Sequence, residues 1–127
     1  MRRIRLLLSA LCFIMTVLGC ESDVAGPLVQ DVRAVRESNR LATIDIAHVI
    51  QKHIPIGMSR DDVHRVLSNE GFKLYPQPQK ADEPEELMAT RHAGTPQWIG
   101  YDEIRVVIKF REDVAVTVSG WLYYNAI

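Results

Sequence analysis

The sequence predicts a single small α+β domain in which two helices pack on an antiparallel sheet of about three strands, forming two layers. Two segments before residue 71 carry apolar residues at helical spacing, whereas residues 104–124 alternate as the two strands of a hairpin. An N-terminal export signal precedes this domain. Removing its 19 residues from the 127-residue chain would leave 108 residues, which is enough for one such domain (127 − 19 = 108).

The export signal is predicted over residues 1–19. Arg2, Arg3 and Arg5 give it a basic start, and an uncharged, mostly apolar run continues to Leu18. A membrane-spanning helix needs about 20 apolar residues, and this run is shorter. The A-x-A-like site of an ordinary secretory peptide is absent. These observations argue against the two alternatives to a lipoprotein signal, which are a spanning anchor and a plain secretory signal.

The end of the signal, Val17-Leu18-Gly19-Cys20, resembles the lipobox of bacterial lipoproteins. That resemblance implies that Cys20 becomes the acylated first residue and that its acyl chains hold the protein in a membrane. Cys12 would be discarded, which leaves no thiol for a disulfide. The domain would face the periplasm. In enteric-type sorting an Asp after the cysteine favours the inner membrane, so Glu21 favours the outer membrane.

The charge of the mature chain excludes some partners. The signal holds three of the 15 Lys and Arg residues and no acid, so the mature formal charge is −4 (12 − 16). A mildly acidic domain argues against nucleic acid as a partner and against binding to anionic lipid through a polybasic segment. Residues 20–30 are predicted to form a tether, because Gly26-Pro27 discourages regular structure there. Residues 31–127 would form the domain.

The first predicted helix covers Thr43–His53, with Pro55 blocking its continuation and an upstream extension to about Asp31 left open. The second predicted helix covers residues 60–70. Ser59 and Asp62 have capping-box spacing, and Met58 and Val63 occupy the positions of a hydrophobic staple. Gly71 and Phe72 have the pattern of a Schellman ending.

Three strands complete the predicted domain. Residues 72–75 form the first, and a proline-rich acidic loop follows over residues 76–87. Residues 104–111 and 114–124 form a hairpin with a turn at Arg111-Glu112-Asp113. Gly120 within the last strand indicates a bulge or a close approach of backbone.

The segment PIGMSRDDVHRVLSNEGF, residues 55–72, resembles the G-M-[ST]-x-x-[DE]-V-x-x-x-L signature of the SmpA/OmlA lipoproteins and of beta-lactamase-inhibitor-like domains. The matching residues have structural positions in a turn, a staple, a cap and a helix core; they are Gly57, Met58, Ser59, Val63 and Leu67, with Asp62 near the acidic position. The resemblance implies a helical pair on a small antiparallel sheet. It also implies a role in outer-membrane β-barrel assembly or in blocking an enzyme.

The residues that carry chemistry in other proteins form no catalytic or metal-binding motif in this sequence. His48, His53, His64 and His92 lack metal-ligand spacing, and no nucleophile or phosphate-binding motif is found. The sequence therefore predicts no enzyme, no metal, no cofactor and no small-molecule substrate.

Aromatic residues cluster late in the chain and offer a candidate partner-binding surface. Alternation places Trp121 and Tyr123 on the face opposite Leu122 and Tyr124, and Arg105 lies on the neighbouring strand. Trp, Tyr and Arg are favoured at protein interfaces, although a small core that needs large side chains is the alternative. The predicted function is a non-catalytic envelope lipoprotein that binds an unidentified protein. An inhibitor of an envelope or foreign enzyme is the alternative.

Overall fold

The computed structural model describes residues 25–94 and 99–126, and three helices and five strands lie in this part of the chain. The five strands form one antiparallel sheet in the order β1-β5-β4-β3-β2. The elements are α1 (Pro27–Ser38), β1 (Thr43–Asp45), α2 (Ala47–His53), α3 (Arg60–Asn69), β2 (Lys73–Pro76), β3 (Glu85–His92), β4 (Tyr101–Arg111) and β5 (Val114–Asn125).

The predicted arrangement of two helices and about three strands is wrong, although the domain is of the α+β class. Residues 43–53, predicted as one helix, divide into β1 and α2, and Ile44 of β1 pairs with Leu122 of β5. The predicted loop 76–87 ends early because β3 begins at Glu85. Only alternate residues of β3, such as Leu87 and Ala89, enter the core, and its acidic start has the composition of the preceding loop.

Helix α1 begins inside the segment predicted as a tether. Pro27 occupies its first turn, and Leu28 and Val29 are fully buried, so residues 27–30 belong to the packed domain. The side chain of Glu70 accepts hydrogen bonds from the backbone N–H groups of Leu28 (3.1 Å) and Val29 (3.3 Å). A carboxylate there satisfies unpaired donors and complements the helix dipole. A Cβ at Gly26 would overlap that carboxylate, which explains the glycine.

The predicted N-cap and the predicted C-terminal ending of α3 are confirmed. The Ser59 hydroxyl accepts a hydrogen bond from the backbone N–H of Asp62 at 3.2 Å, as an N-cap does. At the other end, Phe72 N–H donates to the carbonyl of Leu67 and Gly71 N–H to that of Ser68, each at 3.0 Å. Gly71 has φ +81°. These bonds form the Schellman ending that the sequence predicts.

The C-terminal hairpin is also confirmed, with both turn residues Glu112 and Asp113 in the left-handed region. Two such residues are typical of a type I′ turn, whose twist matches that of the strands. The register shift falls between Lys109 and Phe110 rather than at Gly120. Gly120 instead lies under α2, where an added Cβ would be 2.7 Å from Cγ1 of Ile50.

Gly120→Ala is therefore expected to destabilise the domain by about 1–3 kcal/mol, because Ile50 is fully buried and has no room to move. Chemical denaturation of the mature chain checks this. Val116→Ala, on the same strand and only partly buried, is the control and should cost less. Equal stability of Gly120→Ala and the native chain would contradict the close packing of α2 on β5.

The core lies between the helices and one face of the sheet. From the sheet it takes the alternate residues Ile104, Val106, Ile108 and Phe110 of β4, together with Leu122 of β5. β1 pairs with only three residues near the end of β5, and the segment that joins α2 to α3 covers the same edge of β5 near its start. In that segment Gly57 N–H donates to the Ala115 carbonyl at 2.7 Å, and Met58 accepts from Ala115 N–H at 2.9 Å. All three described helices therefore share one face of the sheet.

Helix α1 is fixed across the end of the sheet by two arginines one turn apart. Nε of Arg33 donates to the Ala93 carbonyl at 2.6 Å. Arg36 is buried and forms an ion pair with the buried Asp102, with Nη2 and Oδ1 3.0 Å apart. Arg36 also donates to the Leu41 carbonyl at 2.6 Å. One guanidinium thus connects α1, the segment before β1 and the start of β4.

At the opposite end of the sheet, Arg60 connects α3 to β3 and to the hairpin turn. Its guanidinium lies 2.5 Å from a carboxylate oxygen of Glu85 and 3.0 Å from one of Asp113, and it lies over the Phe110 ring at 4.7 Å. The hydrogen bond from Arg60 holds the pKa of the Glu85 carboxyl below its usual value of 4.5, and the same bond raises the pKa of Arg60.

A pH dependence of stability follows from the lowered pKa of Glu85. The folded state holds this carboxyl ionised more strongly than the unfolded state does, so its contribution is complete above the unfolded pKa and is lost as the pH falls through the folded pKa. Glu85→Gln is expected to destabilise the chain at neutral pH and to make progressively less difference below about pH 4.5. Denaturation midpoints of both chains across this range test it. A difference that is constant with pH would contradict the ion pair.

Candidate functional site

The face of the sheet opposite the three described helices, here called the open face, carries the candidate site. On β5, Leu122 points to the helices and is fully buried, whereas Trp121 and Tyr123 lie on the open face and are half-buried. Arg105 of β4 lies on the same face and is also half-buried. The strand alternation predicted for β5 is therefore observed, and the three residues proposed from the sequence are neighbours.

The register of β4 and β5 brings these three side chains together, in the half of the sheet where β4 begins and β5 ends. Arg105 pairs directly with Trp121 and lies diagonally to Tyr123. The guanidinium carbon of Arg105 is 4.9 Å from the centroid of the Tyr123 ring, which is a cation–π distance. Its Nη2 lies 3.3 Å from a carboxylate oxygen of Glu103, the residue that pairs with Tyr123. The guanidinium is thus held over an aromatic ring by a neighbouring acid.

One donor of Arg105 has no partner within residues 25–94 and 99–126. Its Nε is buried from solvent and has no hydrogen-bond acceptor there. Burying a donor without a partner is unfavourable, and an atom that water does not reach is closed to a bound molecule too, so this donor is a cost of packing Arg105 against Glu103 and Tyr123. The groups of the cluster that a partner can contact are the rest of the Arg105 side chain, which is 40% exposed, and the half-buried rings of Trp121 and Tyr123.

The flanking strands extend the cluster on both sides. Thr43 and Asp45 of β1 pair with Tyr123 and Trp121, and Thr90 of β3 pairs with Arg105. Asp45 also accepts a hydrogen bond from the N–H of Ala47 at 2.9 Å, which fixes it at the start of α2. The sequence does not identify Thr43, Asp45 and Glu103 as members of this surface, because only the register of β1, β4 and β5 places them there.

A shallow depression of about 450 Å³ adjoins the cluster on the side of β2. It is lined by Gly71, Lys73, Tyr75, Thr90, Arg91, His92 and Glu103. The lining mixes two cations, one carboxylate, an imidazole and hydroxyl groups. The depression therefore offers scattered hydrogen-bonding groups beside the cluster.

The histidines considered as ligands lie apart from one another. Nε2 of His53 is 2.6 Å from a carboxylate oxygen of Asp31, which joins α2 to α1. His92 stacks on Tyr101 with ring centroids 4.3 Å apart. His48 is exposed on α2 and His64 lies on α3. Within the described ranges, no group of three or more His, Cys, Asp or Glu side chains could hold a metal ion.

Cys20, the predicted acylation site, and the predicted export signal before it lie outside the described ranges, in residues 1–24. Among the helices of the described ranges, none has the length and apolar character needed to cross a bilayer.

No known protein family, curated protein or solved structure gives a significant match to this chain. The resemblance of residues 55–72 to the SmpA/OmlA signature stays a prediction. The residues of that motif have structural roles here, since Ser59 caps α3 and Val63 and Leu67 are fully buried.

Proposed function

We propose that this chain is a non-catalytic bacterial envelope lipoprotein, held in a membrane through acylated Cys20, whose open face binds a protein partner. The observation that carries the proposal is the cluster of Arg105, Trp121 and Tyr123 on a sheet face that bears none of the described helices. The basic and apolar start of the chain, ending in Gly19-Cys20, supports the membrane attachment.

The composition of the cluster favours a protein as the ligand. Trp, Tyr and Arg are the side chains most enriched among residues that dominate interface energies, and they do so near the centre of a contact surface. Here they lie on the central strand β4 and its neighbour β5, and polar residues such as Thr43, Thr90 and Glu103 pair beside them. That arrangement of an aromatic centre and a polar rim is typical of protein–protein interfaces.

The size of the open face agrees with this proposal. Five strands are separated by four spacings of about 4.8 Å, which gives a width of about 19 Å. β4 has 11 residues and is about 35 Å long. The product, roughly 650 Å², is an upper limit because β1 and β2 have only three and four residues. It lies below the roughly 800 Å² that each partner contributes to a standard protein interface, so the open face suits a small interface.

Photo-crosslinking in the native bacterium tests the proposal. The full-length precursor carries p-benzoylphenylalanine in place of Thr117, an exposed residue of the open face, or in place of Ser68, an exposed residue of α3. A discrete adduct is expected from position 117 and not from position 68. It should disappear when Trp121→Ala is added, because this substitution removes the central aromatic side chain.

The identity of the adduct separates the two partner classes. Barrel-assembly components, captured only while Cys20 is intact, would favour the assembly role. A soluble enzyme captured with Cys20→Ser as well, and inhibited by the purified protein, would favour the inhibitor alternative. An adduct from position 68 alone, or one insensitive to Trp121→Ala, would overturn the proposed binding face.

A further inference from the structure

One end of the sheet carries exposed apolar side chains. This end, here called the anchor end, is where β3 and β5 end and β1, β2 and β4 begin. Leu41 is 65% exposed and Ile99 is 62% exposed, and Tyr101 and Tyr124 are exposed beside them. Two hydrogen bonds of Tyr124 bring them together. Its backbone N–H donates to the Ala42 carbonyl at 2.8 Å, and its hydroxyl donates to the Ile99 carbonyl.

The chain enters the fold at the same end. Gly26 lies against the Glu70 carboxylate, and the Glu70 carbonyl accepts a hydrogen bond from Arg91. Arg91 is the second-last residue of β3 and pairs with Ile104, close to the start of β4. Whatever precedes Gly26 therefore joins the folded domain at its anchor end.

The segment from Cys20 to Gly26, the part of the predicted tether that precedes α1, limits which end of the sheet can stand on the bilayer. Gly26 follows Cys20 by six residues, which can span at most about 21 Å when fully extended. The opposite end, here called the hairpin end, holds the turn that joins β4 to β5. From Ile104 to Arg111 at that turn is seven residues of strand, or about 24 Å. The fully extended tether is shorter than this distance, so the domain cannot stand on the bilayer with its hairpin end down and its anchor end away from it.

We infer that the anchor end rests on the bilayer that holds Cys20, with Leu41 and Ile99 entering the lipid interface and Tyr101 and Tyr124 flanking them. This inference rests on the proposed acylation of Cys20. Aliphatic side chains gain free energy by leaving water at the boundary of the acyl chains. Tyrosine suits the interface because one end of the ring system is apolar and the other is wet. The bilayer is the occupant that six residues of tether bring to this end.

The arrangement also orients the proposed binding surface. With the anchor end on the membrane, the strands run away from the bilayer, and the open face with Arg105, Trp121 and Tyr123 stands at an angle to it rather than against it. The lipid anchor then sets the direction in which the open face is presented to a partner, in addition to the location of the protein.

Single-cysteine fluorescence tests the inference on the complete lipoprotein. Leu41→Cys and Ile99→Cys report on the anchor end, and Ile56→Cys and Val114→Cys are matched controls at the hairpin end, where these residues are 60% and 37% exposed. Cleavage of the proposed signal would remove Cys12 and acylation would block Cys20, so the introduced thiol would be the single labelling site. The labelled proteins are placed in phosphatidylcholine vesicles with or without doxyl-labelled lipid.

We expect labels at 41 and 99 to shift their emission to shorter wavelength and to lose intensity with doxyl lipid, while labels at 56 and 114 show neither change. Quenching at the hairpin end instead, equal quenching at all four positions, or no quenching would overturn the inference. A blue shift without quenching would also overturn it, because protein would then cover the patch.

The mass of each preparation separates failure of this inference from failure of the proposed function. A thioether-linked diacylglycerol on Cys20 together with unquenched labels contradicts only the contact of the anchor end with the bilayer. An unmodified Cys20 in the native bacterium contradicts the membrane attachment itself and the inference with it.

Discussion

Asp102→Ala is expected to lower the free energy of unfolding by about 3–5 kcal/mol, because it leaves a buried guanidinium without its counter-charge. Asp102 and Arg36 are only 1% and 6% exposed, and the carboxylate accepts from Nε of Arg36 at 3.2 Å in addition to the 3.0 Å contact with Nη2. Urea denaturation of the mature chain carrying Cys20→Ser, compared with the same chain with Asp102→Ala, measures this loss.

The matched control removes both charges at once. Arg36→Met with Asp102→Leu replaces the buried pair by apolar side chains, a change that is often close to neutral in other proteins. Arg36 also donates to the carbonyls of Asn39 and Leu41, so we expect the double variant to recover most of the loss and not all of it. A single variant within about 0.5 kcal/mol of the native chain would contradict the buried ion pair.

Leu122→Ala is expected to cost about 2–5 kcal/mol of stability, the range for removing a buried leucine side chain from a packed core. Leu122 is fully buried and pairs with Ile44 on one side and Ile104 on the other. Denaturation of the mature chain gives the value, and the partner adduct should persist at temperatures where this variant is still folded.

Tyr123→Ala, one residue further along β5, is the matched variant on the opposite face. It removes the ring beneath Arg105 and should cost about 0.5–1 kcal/mol of stability, the size of a cation–π contact at a partly exposed site. Its larger expected effect is loss of the crosslinked partner. If Tyr123→Ala kept the partner and destabilised the domain as much as Leu122→Ala, the open face would be part of the core and not a binding surface.

The parts of the fold that the sequence predicted well are specified by neighbouring residues. Ser59, Asp62, Gly71 and Phe72 define both ends of α3 within a few residues of it, and their hydrogen bonds are those expected. The hairpin has strict alternation over Ile104–Phe110, so its face and its partner strand follow from the pattern.

The parts that the sequence did not predict depend on distant residues. The N-terminus of α1 is satisfied by Glu70, which is 42 residues from Leu28, so no local cap marks where the helix begins. β1 has three residues, of which only Ile44 is buried. A strand this short does not show the alternation of apolar and polar residues that predicts a strand. It exists because β5 provides a partner for it.

The candidate site shows the same division. Alternation along β5 separates Trp121 and Tyr123 from Leu122, and that much follows from the sequence. The contact of Arg105 with Tyr123 and the position of Glu103 depend on the register of β4 and β5. A two-residue turn joins these strands, and their pairing shifts at a bulge between Lys109 and Phe110. A shift of register by one residue would move these side chains to the other face, and the sequence alone does not fix that register.

The membrane attachment through Cys20 underlies both the proposed function and the inferred orientation. The mass of the N-terminal peptide of the protein, isolated from the membranes of its native bacterium, tests it most directly. We predict a peptide that begins at Cys20 and carries a thioether-linked diacylglycerol. A peptide that retains residues before Cys20, or one that begins there with an unmodified thiol, would contradict the account.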